Sequence, residues 1–364
     1  MRTVAWFDSF TPADTAGLGG KSISLGEMIS AGLPVPPGFA ITTHAFRLAR
    51  DGSGSLPAIG ELLAGLEVSD SADVSARAAA VRKLIQSWPV PEPVEAEIRS
   101  SYQRLCELTG MADVPVAVRS SATCEDSPDA SFAGEHDTYL WVRGADDVVA
   151  HVRRCWASLF TDRAVCYRVE MGFGHLDMEM CVAVQKMVRP RSAGVAFTLN
   201  PHDGDRSVIA IDSAWGFGEA VVSGEVTPDN FLVDKVLGSI SRRTVSQKAH
   251  AYRLSDDGHV RLVELAPDEA VAPSLSDAEI SEIARFARAA ERHYGCPQDV
   301  EWAIDADLPD GSSVVLLQAR PETVWSKKKV VVSTGADPLA SIVSTLVNPL
   351  YARKPLYPAS TEKP

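Results

Sequence analysis

The spacing of apolar and polar residues changes period along the chain, and each change marks an element. Toward the C-terminal end, DVEWAID (299–305) and VVLLQARP (314–321) alternate apolar with polar positions, which predicts two strands. Leu308, Pro309, Asp310, Gly311 and Ser312 between them are turn residues, so the strands are expected to pair as a hairpin. Centred on Pro309 and Asp310, that hairpin sets Glu301 opposite Gln318 and Asp299 opposite Arg320. A slip of two residues keeps all four on one face, and a slip of one separates them.

Elsewhere the pattern predicts a glycine-rich turn entering an amphipathic helix over 17–29, then a rigid proline turn feeding a strand over 33–43. Residues 51–110 are helical in pattern, with helices over 76–85 and 95–108 separated by a break at 89–93, and are assigned a packing role. A short strand at 115–119 leads into a long loop of small polar residues, and YLWV (139–142) resumes the strand pattern. One Arg-rich amphipathic helix is expected over 156–173. Strands are expected at 180–188, 192–200 and 207–214, with a glycine-studded turn at 215–224 and a β excursion over 234–250. A helix over 276–294 opens on a capping box, Ser276 with Glu279.

Composition narrows the classes. With 364 residues, 45% apolar and 23% charged, the chain is of globular type and long enough for one large or two ordinary domains. A net charge of −13 argues against general binding to nucleic acid or anionic membranes, while leaving room for a local basic pocket. The six cysteines (106, 124, 155, 166, 181 and 296) have neither C-x-x-C nor zinc-like spacing and are expected to be reduced thiols in a cytoplasmic protein. No apolar run is long enough to span a bilayer, and the first residues lack a signal-peptide core.

The candidate chemistry concentrates on a few stretches. The hairpin face offers two carboxylates, an amide and a guanidinium, which suits Mg²⁺ shared with phosphate oxygens, although spacing alone favours a solvated ion pair on an amphipathic hairpin. Lys21 sits where a helix begins, a place that attracts anions, but the spacing is not that of a P-loop. Arg119 ends a short strand, followed by Ser120, Ser121, Thr123 and the loop glycine Gly134, small groups able to close on phosphates. His136 in that loop is a candidate base, though a lone loop histidine is more often a hydrogen-bonding partner. Backbone groups at Lys186 and Val188, with Gln185 alongside, can meet the edge of a base; an ordinary core strand is the alternative.

Taken together, GGKSISLGEM, AGLPVPPGFAITT, VAVRSSATCEDSPDASFAGEHDTYL, VAVQKMV with SAGVAFTLNP, AWGFGEAVVSGEVTPDNF, and PQDVEWAID with LLQARPET resemble, in order, the nucleotide-binding part of the phosphoenolpyruvate synthase, pyruvate phosphate dikinase and rifampicin phosphotransferase family. The resemblance covers nearly all of residues 1–325. It implies an α+β, ATP-grasp-like fold, with subdomains at 1–190 (including a helical insert) and 191–325 enclosing ATP, and a tail at 326–364.

Carried onto this chain, the resemblance has Lys21, Arg119 and Arg320 bind phosphates, Glu301 and Gln318 ligate Mg²⁺, and Asp299 support them. Thr123, Gly134, Gln185, Lys186, Val188, Glu219 and Lys248 would complete the nucleotide site. In the family the attacking group is a histidine on a swivelling domain, which takes the β,γ-diphosphate and releases AMP. None of the eight histidines here stands in that setting, so a separate partner subunit carrying the phospho-histidine and the acceptor site is expected. The tail, apolar at Ile342 to Leu350, suits docking to that partner or is a loose terminus. Stand-alone versions of this half resemble the ATP-binding subunit of split aryl-phosphate synthases, which makes a phenol or alkylphenol the expected acceptor. A split phosphoenolpyruvate synthase or an antibiotic phosphotransferase is the alternative, and a non-catalytic nucleotide-binding scaffold is the rival of another class.

Overall fold

A computed structural model describes residues 2–11, 13–122, 126–127, 130–131, 138–255 and 260–325. Thr123, Gly134, His136 and the tail from 326 onward lie outside the described residues. The chain divides into units at residues 1–322 and 323–364, and the first holds every strand and helix named here.

In chain order the first half runs β1 (Val4–Trp6), α1 (Gly20–Ser30), β2 (Gly38–Ile41), α2 (Thr43–Ser53), α3 (Leu56–Leu63), α4 (Ser71–Gln86), α5 (Glu92–Thr109), β3 (Val116–Ala122), β4 (Asp126–Ser127), β5 (Ala130–Ser131), β6 (Thr138–Val142), α6 (Ala145–Ala157), α7 (Asp162–Met171) and β7 (Met180–Lys186). The second half continues with β8 (Pro190–Phe197), β9 (Val208–Trp215), α8 (Glu219–Val222), β10 (Asp229–Asp234), β11 (Ile240–Thr244), β12 (His250–Leu254), β13 (Val260–Glu264), α9 (Pro267–Val271), α10 (Asp277–Tyr294), β14 (Gln298–Asp305) and β15 (Val314–Pro321).

Two antiparallel sheets organise these elements. The first has the order β1-β2-β7-β3-β6 and the second β11-β10-β9-β8-β14-β15. Helices and antiparallel sheets in sequence-separated blocks make the fold α+β. The strands of the two sheets divide between Lys186 and Pro190, although residues 1–322 form one compact unit.

Alternation along each strand sends one set of side chains to a helix-covered core and the other to the opposite face. In the first sheet Val116, Val118, Val182 and Val184 pack in a core with Phe46, Trp88, Ile98, Val152 and Trp156 from the helices. In the second, Ala196, Ile211, Phe231, Val300, Trp302 and Leu316 pack against Ile280, Ile283 and Ala287 of α10 and Leu25 and Met28 of α1. The same core takes in Ala5, Ala40, Cys181 and Ala183 from the first sheet, so helix α1 packs against both sheets.

Local chemistry sets the helix ends. Ser276 and Glu279 form the expected capping box, and Gly295 closes α10 in the left-handed region. The single helix expected over 156–173 is instead the end of α6 and, after a break, α7. Residues 158–160 tighten into a 3₁₀ turn, and the Thr161 hydroxyl caps α7 by accepting from the Ala164 N–H. Helix α6 before it was not foreseen. Among the described residues five cysteines are free, as expected of reduced thiols.

Candidate functional site

The hairpin of β14 and β15 has the expected register: Asp299 pairs with Arg320 and Glu301 with Gln318. The ladder shifts between Glu301 and Trp302, leaving Leu317 as the extra residue of a bulge. Asp299, Glu301 and Ala303 therefore lie on the face away from α10. On the first sheet, Ala117 and Arg119 of β3, Thr138 and Leu140 of β6 and Gln185 of β7 form the corresponding face.

These two faces line one cavity of about 280 Å³, with the β7–β8 connection (Met187, Val188) and the 217–219 turn as its remaining walls. A second hollow of about 360 Å³ shares Ala193, Gly218, Glu219, Glu301 and Leu317 with it. Together they reach the size range, roughly 300–1,000 Å³, of pockets for nucleotide-sized ligands. A hollow of about 530 Å³ near the N-terminus is larger, but its charged residues, Arg2 and Asp14, already pair with each other.

Of the expected residues, Arg119, Gln185, Lys186, Val188, Glu219 and Glu301 line the first cavity. Gln318 joins them through Arg119, whose Nη2 donates to Gln318 Oε1 at 3.4 Å. Arg119 Nε and Asp299 Oδ1 are buried without a partner. Unsatisfied buried polar atoms are costly, and here two of opposite sign belong to residues on facing strands. Burial raises the Asp299 carboxyl above the usual carboxylate range, with Glu322 and Glu301 adding to the rise and Arg320 opposing it.

Arg320 is not among the lining residues. Its Nε is 3.5 Å from Asp299 Oδ2, and its side chain is 61% exposed, so it is free to turn toward an anion. Lys21 is not among the lining residues. Its helix nevertheless begins between the ends of the two strands that carry the others: the Ser22 N–H donates to Ser121 Oγ (3.3 Å), and Ser24 Oγ donates to the Ala319 carbonyl (2.9 Å). Glycine is required at position 19, where a Cβ would collide with the Ser121 carbonyl; this close approach holds the start of α1 against β3.

Lys186 and Val188 line the cavity, but the Lys186 N–H is already committed to the Pro37 carbonyl at 2.9 Å. The buried Gln185 side chain donates to the Pro36 carbonyl at 3.3 Å. Lys186 Nζ is held by Asp305 Oδ2 at 3.2 Å, and the other oxygen of that buried carboxylate accepts from the N–H groups of Arg189 (3.4 Å) and Asp307 (3.1 Å). Asp305 thereby ties the β7–β8 connection to β14.

Lys248 requires a correction. It was expected to face the nucleotide, but its ammonium is fully buried and donates to Asp229 Oδ1 (2.6 Å) and the Ser246 carbonyl (2.9 Å). Asp229 Oδ2 accepts from the Ser274 N–H and hydroxyl. By alternation Asp229 shares the α10 side of the sheet with Phe231 and Val233, so the sheet stands between this pair and the cavity. Lys248 is a structural cation.

Sequence reasoning also missed residues of the site. Leu140, Met187 and Phe217 supply apolar walls, and Asp305 anchors one of them. Phe217 stands between two glycines, a signal that an apolar side chain is being presented at a turn. The others carry no local signal.

The cleft between the two antiparallel sheets has Arg119 on one wall and Glu301 on the other, charges suited to a phosphate and its cation. Residues 15–339 match the family model described as "Pyruvate phosphate dikinase, AMP/ATP-binding domain", and the chain belongs to that family. Its fold is accordingly ATP-grasp-like. The chain is 44% identical over 90% of its length to a "Probable phosphoenolpyruvate synthase" of Staphylothermus marinus, 42% of which is covered. It is 42% identical over 90% to one of Methanocaldococcus jannaschii (27% covered) and 40% over 90% to the "Phosphoenolpyruvate synthase" of Aeropyrum pernix (43% covered). The chain thus spans less than half of these relatives. Among the described residues no helix is long and apolar enough to cross a membrane.

Proposed function

We propose that this chain binds ATP with Mg²⁺ and activates it for transfer of the β,γ-diphosphate to a phospho-carrier histidine outside the domain, as part of a phosphoenolpyruvate synthase-type phosphotransferase. The carrying observation is the meeting of Arg119 with the Glu301/Gln318 pair across one cavity.

The donor set fits the metal: a carboxylate and an amide oxygen side by side on a strand pair suit a hard cation that keeps waters and shares itself with phosphate. When bound, Mg²⁺ supplies neutralisation of charge on the phosphate oxygens. Glu301 and Gln318 would hold it, and Gln318 would then exchange its hydrogen bond from Arg119 for the cation. Arg119, released, and the exposed Arg320 would bind phosphate oxygens in the bidentate manner of guanidinium. Lys21 adds a point charge at a helix start. Leu140, Phe217 and Val188 would exclude water from the base. The domain's work is positioning and charge stabilisation.

The acceptor is read from the relatives' names. These favour the pyruvate-type reaction over the phenol or alkylphenol expected from sequence, and no residue of the cavity argues for an aromatic acceptor. The histidine carrier and acceptor site would lie in a following domain or a partner chain. A scaffold that has lost turnover is disfavoured because Lys21, Arg119, Glu301, Gln318 and Arg320, which the family resemblance calls for, are all present.

Isothermal calorimetry tests the binding. ATP is expected to bind tightly only with Mg²⁺, and Glu301→Gln to abolish most of the Mg²⁺ enhancement. Equal ATP affinity with and without the metal in wild type would refute the metal assignment. Adding the histidine-bearing partner and pyruvate should release AMP; AMP release with a phenol but not with pyruvate would restore the aryl reading.

A further inference from the structure

Among the described residues, Trp141 is the one non-glycine residue with positive φ, at 60°. A bulky side chain there is strained, because its Cβ crowds the backbone in the left-handed region. It sits at a bulge: β6 pairs Tyr139 with Val118 and Val142 with Val116, so Leu140 and Trp141 together face the single residue Ala117. Bulges of this kind commonly place glycine in the left-handed position, and they re-aim side chains next to functional sites. The Trp141 indole N–H is also buried without a partner. Two separate costs thus fall on one residue.

The bulge has two visible consequences. Leu140 is turned into the nucleotide cavity. The Trp141 ring meets Phe217 edge-on, with centroids 5.8 Å apart and planes at 81°. Phe217 is a wall of the cavity, and it belongs to the other sheet's 216–219 turn. That turn is also held by the Phe217 N–H donating to the Tyr252 carbonyl and the Gly216 N–H donating to the Arg191 carbonyl, both backbone contacts that do not involve the Phe217 ring.

We propose that Trp141 is a positioning residue for the nucleotide site: by its edge contact it holds the Phe217 ring, and with it the turn leading to Glu219, against the base side of the cavity. Local strain at Trp141 is retained because it orders a residue on the facing sheet. This inference rests on the nucleotide reading of the cavity.

The test compares Trp141→Phe, Trp141→Ala and Trp141→Gly by ATP calorimetry and thermal unfolding. Strain predicts that the Gly variant unfolds at a higher temperature than the Ala variant, the reverse of the usual order. Positioning predicts that Ala and Gly variants bind ATP about three- to tenfold more weakly, the size expected for one lost aromatic pair. The Phe variant should stay within about twofold of wild type.

Because Trp141 acts through Phe217, adding Trp141→Ala to Phe217→Leu should weaken binding no further than Phe217→Leu alone. Additive losses, or wild-type affinity in Trp141→Ala, would overturn the proposal. Wild-type protein that binds no ATP would instead overturn the nucleotide reading, and this inference with it.

Discussion

On the α10 side of the six-stranded sheet, Lys248 and Asp229 are sealed from solvent, and the ammonium and both carboxylate oxygens are hydrogen-bonded. On the cavity side, Arg119 Nε and Asp299 Oδ1 are buried with nothing to bond. Both regions bring charge out of water, and only the second leaves polar atoms unsatisfied, one of them on Arg119, which lines the cavity. A buried pair of opposite charge is therefore a poor marker of a site. Unsatisfied polar atoms of both signs on facing walls are a better one, because a ligand carrying charge and a cation can satisfy them together.

The largest expected effect lies on the saturated side. Lys248→Met leaves Asp229 buried with only neutral donors, and removing one partner of a buried pair typically costs about 3–5 kcal/mol. Urea unfolding should show that loss, while the folded fraction binds ATP with wild-type affinity. A drop in ATP affinity without loss of stability would return Lys248 to the nucleotide and erase the contrast.

The unsatisfied side should respond the opposite way. Arg119→Ala removes an orphaned donor and one long hydrogen bond, so stability should change by less than about 1 kcal/mol. ATP affinity should fall about 10- to 100-fold, equivalent to about 1.5–3 kcal/mol for charged hydrogen bonds. Arg119→Lys should recover only part of it, since an ammonium cannot bind two oxygens in a fixed fork. Calorimetry on the two variants decides it; full rescue by lysine would mean that Arg119 acts only as a point charge.

The contrast also explains what could be read from sequence. The hairpin was legible to the residue, because turn chemistry centres it and alternation then fixes which side chains share a face: Glu301 and Gln318, Asp299 and Arg320. Arg119 was legible as the charged end of a short apolar strand. Lys248 was not: its carboxylate partner Asp229 is 19 residues away in the chain, Ser274, which bonds that carboxylate, lies 26 residues beyond Lys248, and no local pattern announces that they will close into one buried cluster. Trp141 and Asp305 were missed for the same reason, since their roles exist only once the two sheets are set against each other. The break at Thr161 was a local signal overridden by apolar periodicity that continues across it.

Arg168 tests whether orphaned atoms alone suffice. It is fully buried in α7, stacks over Phe160 at 5.0 Å, and has both Nη atoms without partners, yet it lines none of the cavities described above. Burial pushes its guanidinium down to about 10. Its Nε donates to His175 Nδ1 at 3.3 Å, and burial together with the Arg168 charge holds the His175 imidazole below the usual 6.5.

The folded state therefore favours a neutral ring. Below pH 6.5 the unfolded chain takes up a proton that the folded chain refuses, so stability present at neutral pH declines as pH falls from 6.5 through the folded-state value. One proton limits the slope to less than about 1.4 kcal/mol per pH unit. His175→Gln, which keeps an acceptor for Arg168 but cannot titrate, should flatten this part of the profile while leaving ATP affinity unchanged. The comparison is between urea midpoints of variant and wild type from pH 5 to 7.5. An unchanged slope would mean that His175 is freely protonated in the fold, and altered ATP binding would join this corner of the first sheet to the cavity.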